Sequence, residues 1–295
     1  MAESFRSGYV SIIGRPNVGK STLLNILLGQ KVAIVSAKPQ TTRNRVLGIK
    51  TTDDAQIIFI DTPGIHAPKN LLGKTMIGAV KDALREMDLV VFVTEPGPHF
   101  KDDKIIAGYL RDVENPVILL INKIDLVQRS ELLPLTAEYK ELFPFKEIIP
   151  VSAIKRHGMD ILIRKIGEYL PEGPKYYPED FVTDQIERTM AAEIIREKIM
   201  ERTSDEIPYS VAVEVIDWNE REDGLVSVSA NIYVEREGQK GIIIGQKGRM
   251  LKSIGTRARM DIERLLNARV FLQLWVKVRK GWRDDKKVLD ELGYK

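Results

Sequence analysis

Short apolar runs alternate with helix-period stretches over the first ~170 residues. Val10–Ile13, Leu89–Thr94, Val117–Asn122 and Ile148–Val151 read as buried strands, and Arg45–Lys50 and Gln56–Ile60 as two more, separated by the turn "TTDDA". Helical periodicity lies between them, from near Lys20 and over 74–86, 102–112, 130–142 and 159–170. Apolar strands alternating with helices predict an α/β domain whose mainly parallel sheet carries helices on both faces. In such a sheet the strand ends open into a shared crevice, so residues just past them converge there.

At "LPEGPKYYPED" (170–180), three prolines and a glycine interrupt the pattern. Such a stretch marks a domain boundary. The expected division is 1–173, a linker over 174–181, and a second domain over 182–295. There, a helix over 184–202 leads to strands Tyr209–Val215 and Leu225–Glu235, joined by "DWNEREDG". Then come the loop in "GIIIGQKGRM" (241–250), a helix from Arg249 to about Leu266, and a strand at Arg269–Val278. This α-β-β-loop-α-β order predicts an α+β domain, and the basic tail adds a last helix. No internal repeat or low-complexity tract is present.

Composition narrows the classes. Apolar residues at 43% and charged residues at 29% fit a soluble globular protein. The chain has no cysteine, which excludes disulfides, thiolate metal sites and cysteine nucleophiles and fits a reducing compartment. No apolar run approaches the ~18 residues of a membrane span, and "MAESFRSGYVSIIGRP" lacks a signal-peptide pattern. The expectation is a cytoplasmic protein, with weak peripheral attachment to the inner face of the cell membrane left open. Charge is uneven: Phe181 to Glu237 holds 6 Lys/Arg against 14 Asp/Glu, whereas Gln239 to Arg283 holds 12 Lys/Arg against 2 acids. A basic block of that density points to a polyanionic partner.

Four segments carry nucleotide chemistry. "GRPNVGKS" (Gly14, Arg15, Pro16, Asn17, Val18, Gly19, Lys20, Ser21) stands after a strand and before a helix, which is where a phosphate loop works. Its glycines let backbone N–H groups curl around phosphate, and the helix N-terminus adds its dipole. Lys20 is expected on the β- and γ-phosphates and the Ser21 hydroxyl on Mg²⁺, with Thr22 continuing the lining. "DTPGI" (Asp61, Thr62, Pro63, Gly64, Ile65) follows another strand. Asp61 can hold Mg²⁺ through water, and the Gly64 N–H can approach the γ-phosphate. "NKID" places Asn122, Lys123 and Asp125 at a third strand end. A carboxylate there accepts from guanine N1–H and its exocyclic amine, a donor pair that adenine lacks, so a GTP/GDP site is expected. Asn122 is assigned to guanine's polar edge and the Lys123 stem to its ring. "SAI" (Ser152, Ala153, Ile154) fits a backbone donor to guanine O6.

In this order and spacing the segments resemble the Era-like family of the translation-factor-related GTPases. The polar stretch "VSAKPQTTRNR" (35–45) is similar to that family's first switch segment. The resemblance implies that a threonine of "QTTR" ligates Mg²⁺ in the GTP state; Thr42 is preferred to Thr41. Where Ras-like enzymes place a glutamine, this chain has Ile65, which implies slow intrinsic turnover with help from elsewhere. One candidate is K⁺ held partly by Asn17. Lys20, Thr42, Gly64 and Asn17 are then the candidate catalytic group. His66 adjoins the gap but reads as a surface residue.

"IIIGQKG" lacks the spacing of a nucleotide loop and resembles the I-G-x-x-G signature of a type II KH domain, whose loop clamps single-stranded RNA. Ile244, Gly245, Gln246, Lys247, Gly248 and Arg249, with Lys252 and Arg257 of the following helix, are the candidate RNA contacts. Arg259 adds counter-charge, and Ile242 to Ile244 are expected as a base-facing wall. Both halves together imply a monomeric GTP switch that binds the 3′ end of small-subunit ribosomal RNA during small ribosomal subunit assembly. A regulatory GTPase whose second domain meets protein or acidic membrane, and a metabolic nucleoside-triphosphate enzyme, stay open as rivals.

Overall fold

The computed structural model describes residues 5–294; the first four residues of the stretch read above for a signal peptide lie outside them. Residue contacts divide the chain into two units. The first holds Met1–Ala33, Thr42–Ala67 and Thr75–Asp184, so the stretch 174–181 groups with it. The second holds Gln185–Lys295 together with Ile34–Thr41 and Pro68–Lys74.

The first unit runs β1 (Arg6–Gly14), α1 (Lys20–Leu28), β2 (Val46–Thr51), β3 (Ala55–Asp61), α2 (Leu71–Arg85, from Thr75 onward), β4 (Leu89–Thr94), α3 (Phe100–Tyr109), β5 (Val117–Ile121), α4 (Arg129–Lys140), β6 (Glu147–Pro150) and α5 (Met159–Tyr169). Its six strands lie in the order β2-β3-β1-β4-β5-β6, with β2 alone antiparallel to its neighbour. Leu23 and Leu27 of α1 and Leu162 and Ile166 of α5 bury one face. Val80 of α2, Ile106 of α3 and Tyr139 of α4 bury the other. Strands covered on both sides have no solvent face, which is why β3 and β4 are buried throughout and read as continuous apolar runs. From β1 the chain crosses by α1 to β2 and β3 on one side, and from β3 it returns by α2 to β4 on the other. The crevice at the ends of β1 and β4 is therefore the topological switch point, where ligands of such sheets bind.

The second unit runs α6 (Glu187–Arg202), α7 (Ile207–Ser210), β7 (Ala212–Glu220), β8 (Leu225–Val234), α8 (Glu237–Ile244), α9 (Arg249–Leu266), β9 (Arg269–Val278) and α10 (Lys286–Glu291). β8 is central, antiparallel to β7 and parallel to β9. Ile195 of α6, Ile243 of α8 and Ile254 and Ile262 of α9 form one core with Val228 and Ile232 of β8. Within this unit the fully buried Arg196 donates to the Thr41 carbonyl, and the Val35 N–H donates to Glu197 Oε1 at 2.9 Å.

Two expectations are corrected here. The apolar residues before the glycine loop are the last turn of helix α8: Ile243 is fully buried, while Ile242 is 54% exposed. They cannot form one wall. The β-branched run suggests a strand, but Gln239 Oε1 accepts the Glu235 and Arg236 N–H groups and caps a helix. Core packing of Ile243 then overrides the local preference. Likewise "DWNEREDG" is not all turn: β7 continues to Glu220 through a bulge between Val215 and Asp217. Only 221–224 turns, closed by Gly224 at φ +76°.

Candidate nucleotide and RNA sites

The loop between β1 and α1 is possible only with its glycines. Gly14 has φ +150°, and a Cβ there would stand 2.3 Å from the Val93 carbonyl oxygen. Gly19 has φ +98°, and a Cβ would stand 2.4 Å from Asn122 Nδ2. Lys20 is buried, its Nζ donating to the carbonyls of Gly14 at 3.2 Å and Arg15 at 2.9 Å. Burial pushes its pKa down to about 8, against the opposing pull of Asp61. Phosphate would restore the charged form, so nucleotide binding takes up a proton above this value and affinity falls as pH rises. We expect the Kd for a GTP analogue to be nearly flat from pH 6.5 to 7.5. It should then rise toward about tenfold per pH unit above pH 8. A flat profile to pH 9 contradicts that role for Lys20.

Asp61, at the end of β3, is fully buried. Its Oδ2 accepts from Ser21 Oγ at 2.6 Å and Thr42 Oγ1 at 3.3 Å, and those hydroxyls are 2.7 Å apart. Its Oδ1 has no partner. Three converging hard oxygens around an orphaned buried carboxylate oxygen fit Mg²⁺. Burial also raises the Asp61 pKa, a penalty on the carboxylate that a divalent cation would relieve. The neighbouring Thr41 Oγ1 instead donates to the Lys38 carbonyl at 2.6 Å.

The chain after β3 packs on the phosphate loop. The Thr62 hydroxyl donates to the Ile12 carbonyl at 2.8 Å, and the Ile65 N–H donates to the Gly14 carbonyl at 3.1 Å. A Cβ on Gly64 would lie 2.7 Å from both Pro16 Cα and Pro16 N. Glycine is therefore required for this approach. The Ile65 side chain is buried, and His66 Nδ1 lies 2.9 Å from the Gly64 carbonyl oxygen.

At the ends of β5 and β6, Asp125 Oδ1 accepts from Ser152 Oγ at 2.5 Å. Lys123, at φ +62°, reaches back with Nζ to the Asn17 carbonyl at 2.7 Å and to Glu95 at 2.5 Å. The Asn122 side chain joins two of these segments. Its Nδ2 donates to the Val18 carbonyl at 2.8 Å, and its Oδ1 accepts the Ala153 N–H at 3.0 Å. Asn122 is a buried strut between the phosphate loop and the 152–154 turn. Ile154 is 70% exposed.

Sequence reasoning missed the network behind the loop. Arg15 Nε donates to Asp103 Oδ1 at 2.8 Å, and the Thr94 and Tyr139 hydroxyls donate to Asp103 Oδ2, each at 2.5 Å. Asp103 is fully buried, and burial with that carboxylate raises the Tyr139 pKa. Arg15 Nη1 also lies 3.8 Å from Glu95, so Glu95 neighbours cationic groups of both the phosphate loop and "NKID". An acid in the first turn of α3 was the only available signal.

In the second unit, Gly245 at φ +69°, Lys247 at +51° and Gly248 at +75° carry the chain through positive-φ backbone into α9. Gln246, Lys247 and Arg249 are exposed and Ile244 is half-buried. Beside them a cleft of about 400 Å³ lies between α9 and β9, lined by Gly248, Lys252, Gly255 and Arg259 with Leu272 and Leu274. Arg257 is exposed but does not line it. Arg259, two residues on, does, and pairs with Glu263 at 2.8 Å.

Residues 9–123 match the family described as 50S ribosome-binding GTPase, and residues 206–283 match the KH domain family. GTPase Era of Ruminiclostridium cellulolyticum is 50% identical over 99% of this chain and 98% of its own length. GTPase Era of Geobacter metallireducens is 55% identical over 98% of each. Among solved structures, a variant of Aquifex aeolicus Era bound to GDP·AlF4⁻ matches with TM-score 0.94 at 44% identity, covering 98% of this chain and 99% of that one. Era in complex with MgGDPNP and nucleotides 1506–1542 of 16S ribosomal RNA matches with TM-score 0.95, also at 44% identity and the same coverage. With a phosphate loop, an "NKID" turn and a KH domain on one chain, and relatives this similar along its whole length, the chain belongs to the Era family of GTPases.

Proposed function

We propose that the protein is a Mg²⁺-dependent GTP switch that binds the 3′ region of small-subunit ribosomal RNA and acts in maturation of the small ribosomal subunit. The observation that carries this reading is one chain holding both a GTPase site and a basic cleft behind a KH glycine loop, with the solved relative that binds 16S ribosomal RNA matching 98% of it. Ser21, Thr42 and Asp61 would hold Mg²⁺, which neutralises charge developing on the phosphates. Lys20 and the Gly64 N–H would hold the transferring phosphoryl group. The buried apolar Ile65 supports slow intrinsic hydrolysis, because it cannot orient the attacking water; Asn17 with K⁺ is the proposed source of assistance.

Ile34–Thr41 belongs to the second unit while Thr42 belongs to the first. A segment divided in this way supports RNA affinity that depends on the nucleotide. We place the protein in the cytoplasm as a monomer. Among the described residues no helix is long and apolar enough to cross a membrane, and any membrane contact would be peripheral.

The test is binding of single-stranded RNA from the 3′ end of small-subunit ribosomal RNA, with GDP and with a non-hydrolysable GTP analogue. The expected result is tight binding favoured by the analogue. Equal, weak binding in every state overturns the RNA switch and leaves a GTPase with another partner.

A further inference from the structure

The strand that floors the RNA cleft has a second face. Side chains alternate along β9: Leu272 and Leu274 look into the cleft beside α9, while Arg269, Phe271, Gln273, Trp275 and Lys277 project the other way and are all exposed. Phe271 is 46% and Trp275 43% exposed, so both rings are open to a stacking partner. They stand roughly 13 Å apart along the strand, with an amide between them and a cation beyond each. β9 is an edge strand, so nothing in the sheet separates this row from the cleft on the reverse side.

We propose that the outward row of β9 is a second nucleic-acid surface, an aromatic ledge on which single-stranded RNA leaving the cleft stacks two further bases. The inference rests on the cleft's binding RNA. Three features favour RNA over an apolar protein partner. The rings alternate with polar side chains and do not merge into an apolar patch. The row is flanked by cations at both ends. And the far side of the same face, on β7, carries Glu214 and Asp217, opposite Asn231 and Ser229 of β8, which keeps a polyanion to the β9 side. Base–aromatic stacking with flanking cations is the general device for holding single strands without reading their sequence.

The experiment uses the full chain with a non-hydrolysable GTP analogue and two sets of RNA. One is a tetranucleotide, about the length a KH loop clamps; the other is the same sequence extended by four nucleotides at its 5′ or its 3′ end. One extension should tighten binding at least tenfold. In the Phe271→Ala/Trp275→Ala variant that gain should vanish while tetranucleotide affinity stays within twofold. Trp275→Phe, which retains a ring, should keep most of the gain. A wild-type protein that binds the tetranucleotide and gains nothing from extension, or a double variant that keeps the gain, overturns the ledge alone. A wild-type protein that binds neither RNA overturns the cleft as well. Because both rings are exposed, the variants should melt within a few degrees of wild type, and equal loss on both RNAs would place the rings in the fold and overturn the ledge.

Discussion

Replacing Asp125 by alanine should weaken GTP binding by ~10³-fold or more while leaving the fold intact. The carboxylate is the one anionic acceptor that "NKID" brings to the crevice, and Ser152 Oγ already donates to its Oδ1. That bond fixes the rotamer and leaves acceptor lone pairs for the N1–H and exocyclic amine of guanine. Removing the acceptor strands both base donors in a desolvated site, and unsatisfied polar groups cost far more than the bond nominally contributes. A sharper form of the experiment is Asp125→Asn. Its amide donates where the carboxylate accepted, so it should reject GTP and favour a xanthine nucleotide, which carries a carbonyl in place of the exocyclic amine. Displacement titrations with GTP and XTP on wild type and both variants check this. Unchanged GTP affinity in Asp125→Ala would place base recognition elsewhere.

How much of this was legible in the chain follows from where each property resides. The strands of the first unit are buried on both faces, so β3 and β4 announce themselves as unbroken apolar runs. The loops that matter stand at their ends, with glycines whose positive φ or close backbone approach leaves no alternative. Ile242–Ile244 read as one wall beside a loop because nothing local marks them as helical; the cap from Gln239 and the burial of Ile243 make them so. Arg257 and Arg259 look equivalent as charges. Which one faces the cleft depends on the rotation of α9 against β9, set by the burial of Ile254, Ala258 and Ile262. The bridging role of Asn122 and the anchoring of Arg15 by Asp103 lie wholly in tertiary contacts between segments 31 to 104 residues apart, where no local pattern carries a signal.

The same distinction between local and tertiary causes decides how the RNA clamp should be broken. Gly245 and Gly248 both sit at positive φ, yet they are not equivalent targets. A Cβ on Gly245 would lie 2.6 Å from Met250 Cβ and 3.0 Å from Met250 N, whereas one on Gly248 meets nothing within 4 Å. Any side chain at 245 therefore strains the start of α9, and loss of RNA binding there would confound clamp and fold. Gly248→Asp should fold, because aspartate tolerates the left-handed region and a carboxylate beside a helix N-terminus is locally favourable. In the complex, however, it sets a negative charge against the phosphate the loop would hold, and like charges in contact cost several kcal/mol. We expect RNA affinity to drop by roughly 100-fold with GTP hydrolysis unchanged. Gly248→Asn, alike in shape and φ but uncharged, should lose far less. The pair of variants separates electrostatic repulsion from blocked backbone approach. Equal losses would mean that the loop works by close contact alone, and no loss in either would move the phosphate contact off the loop and onto Lys252 and Arg259 of α9.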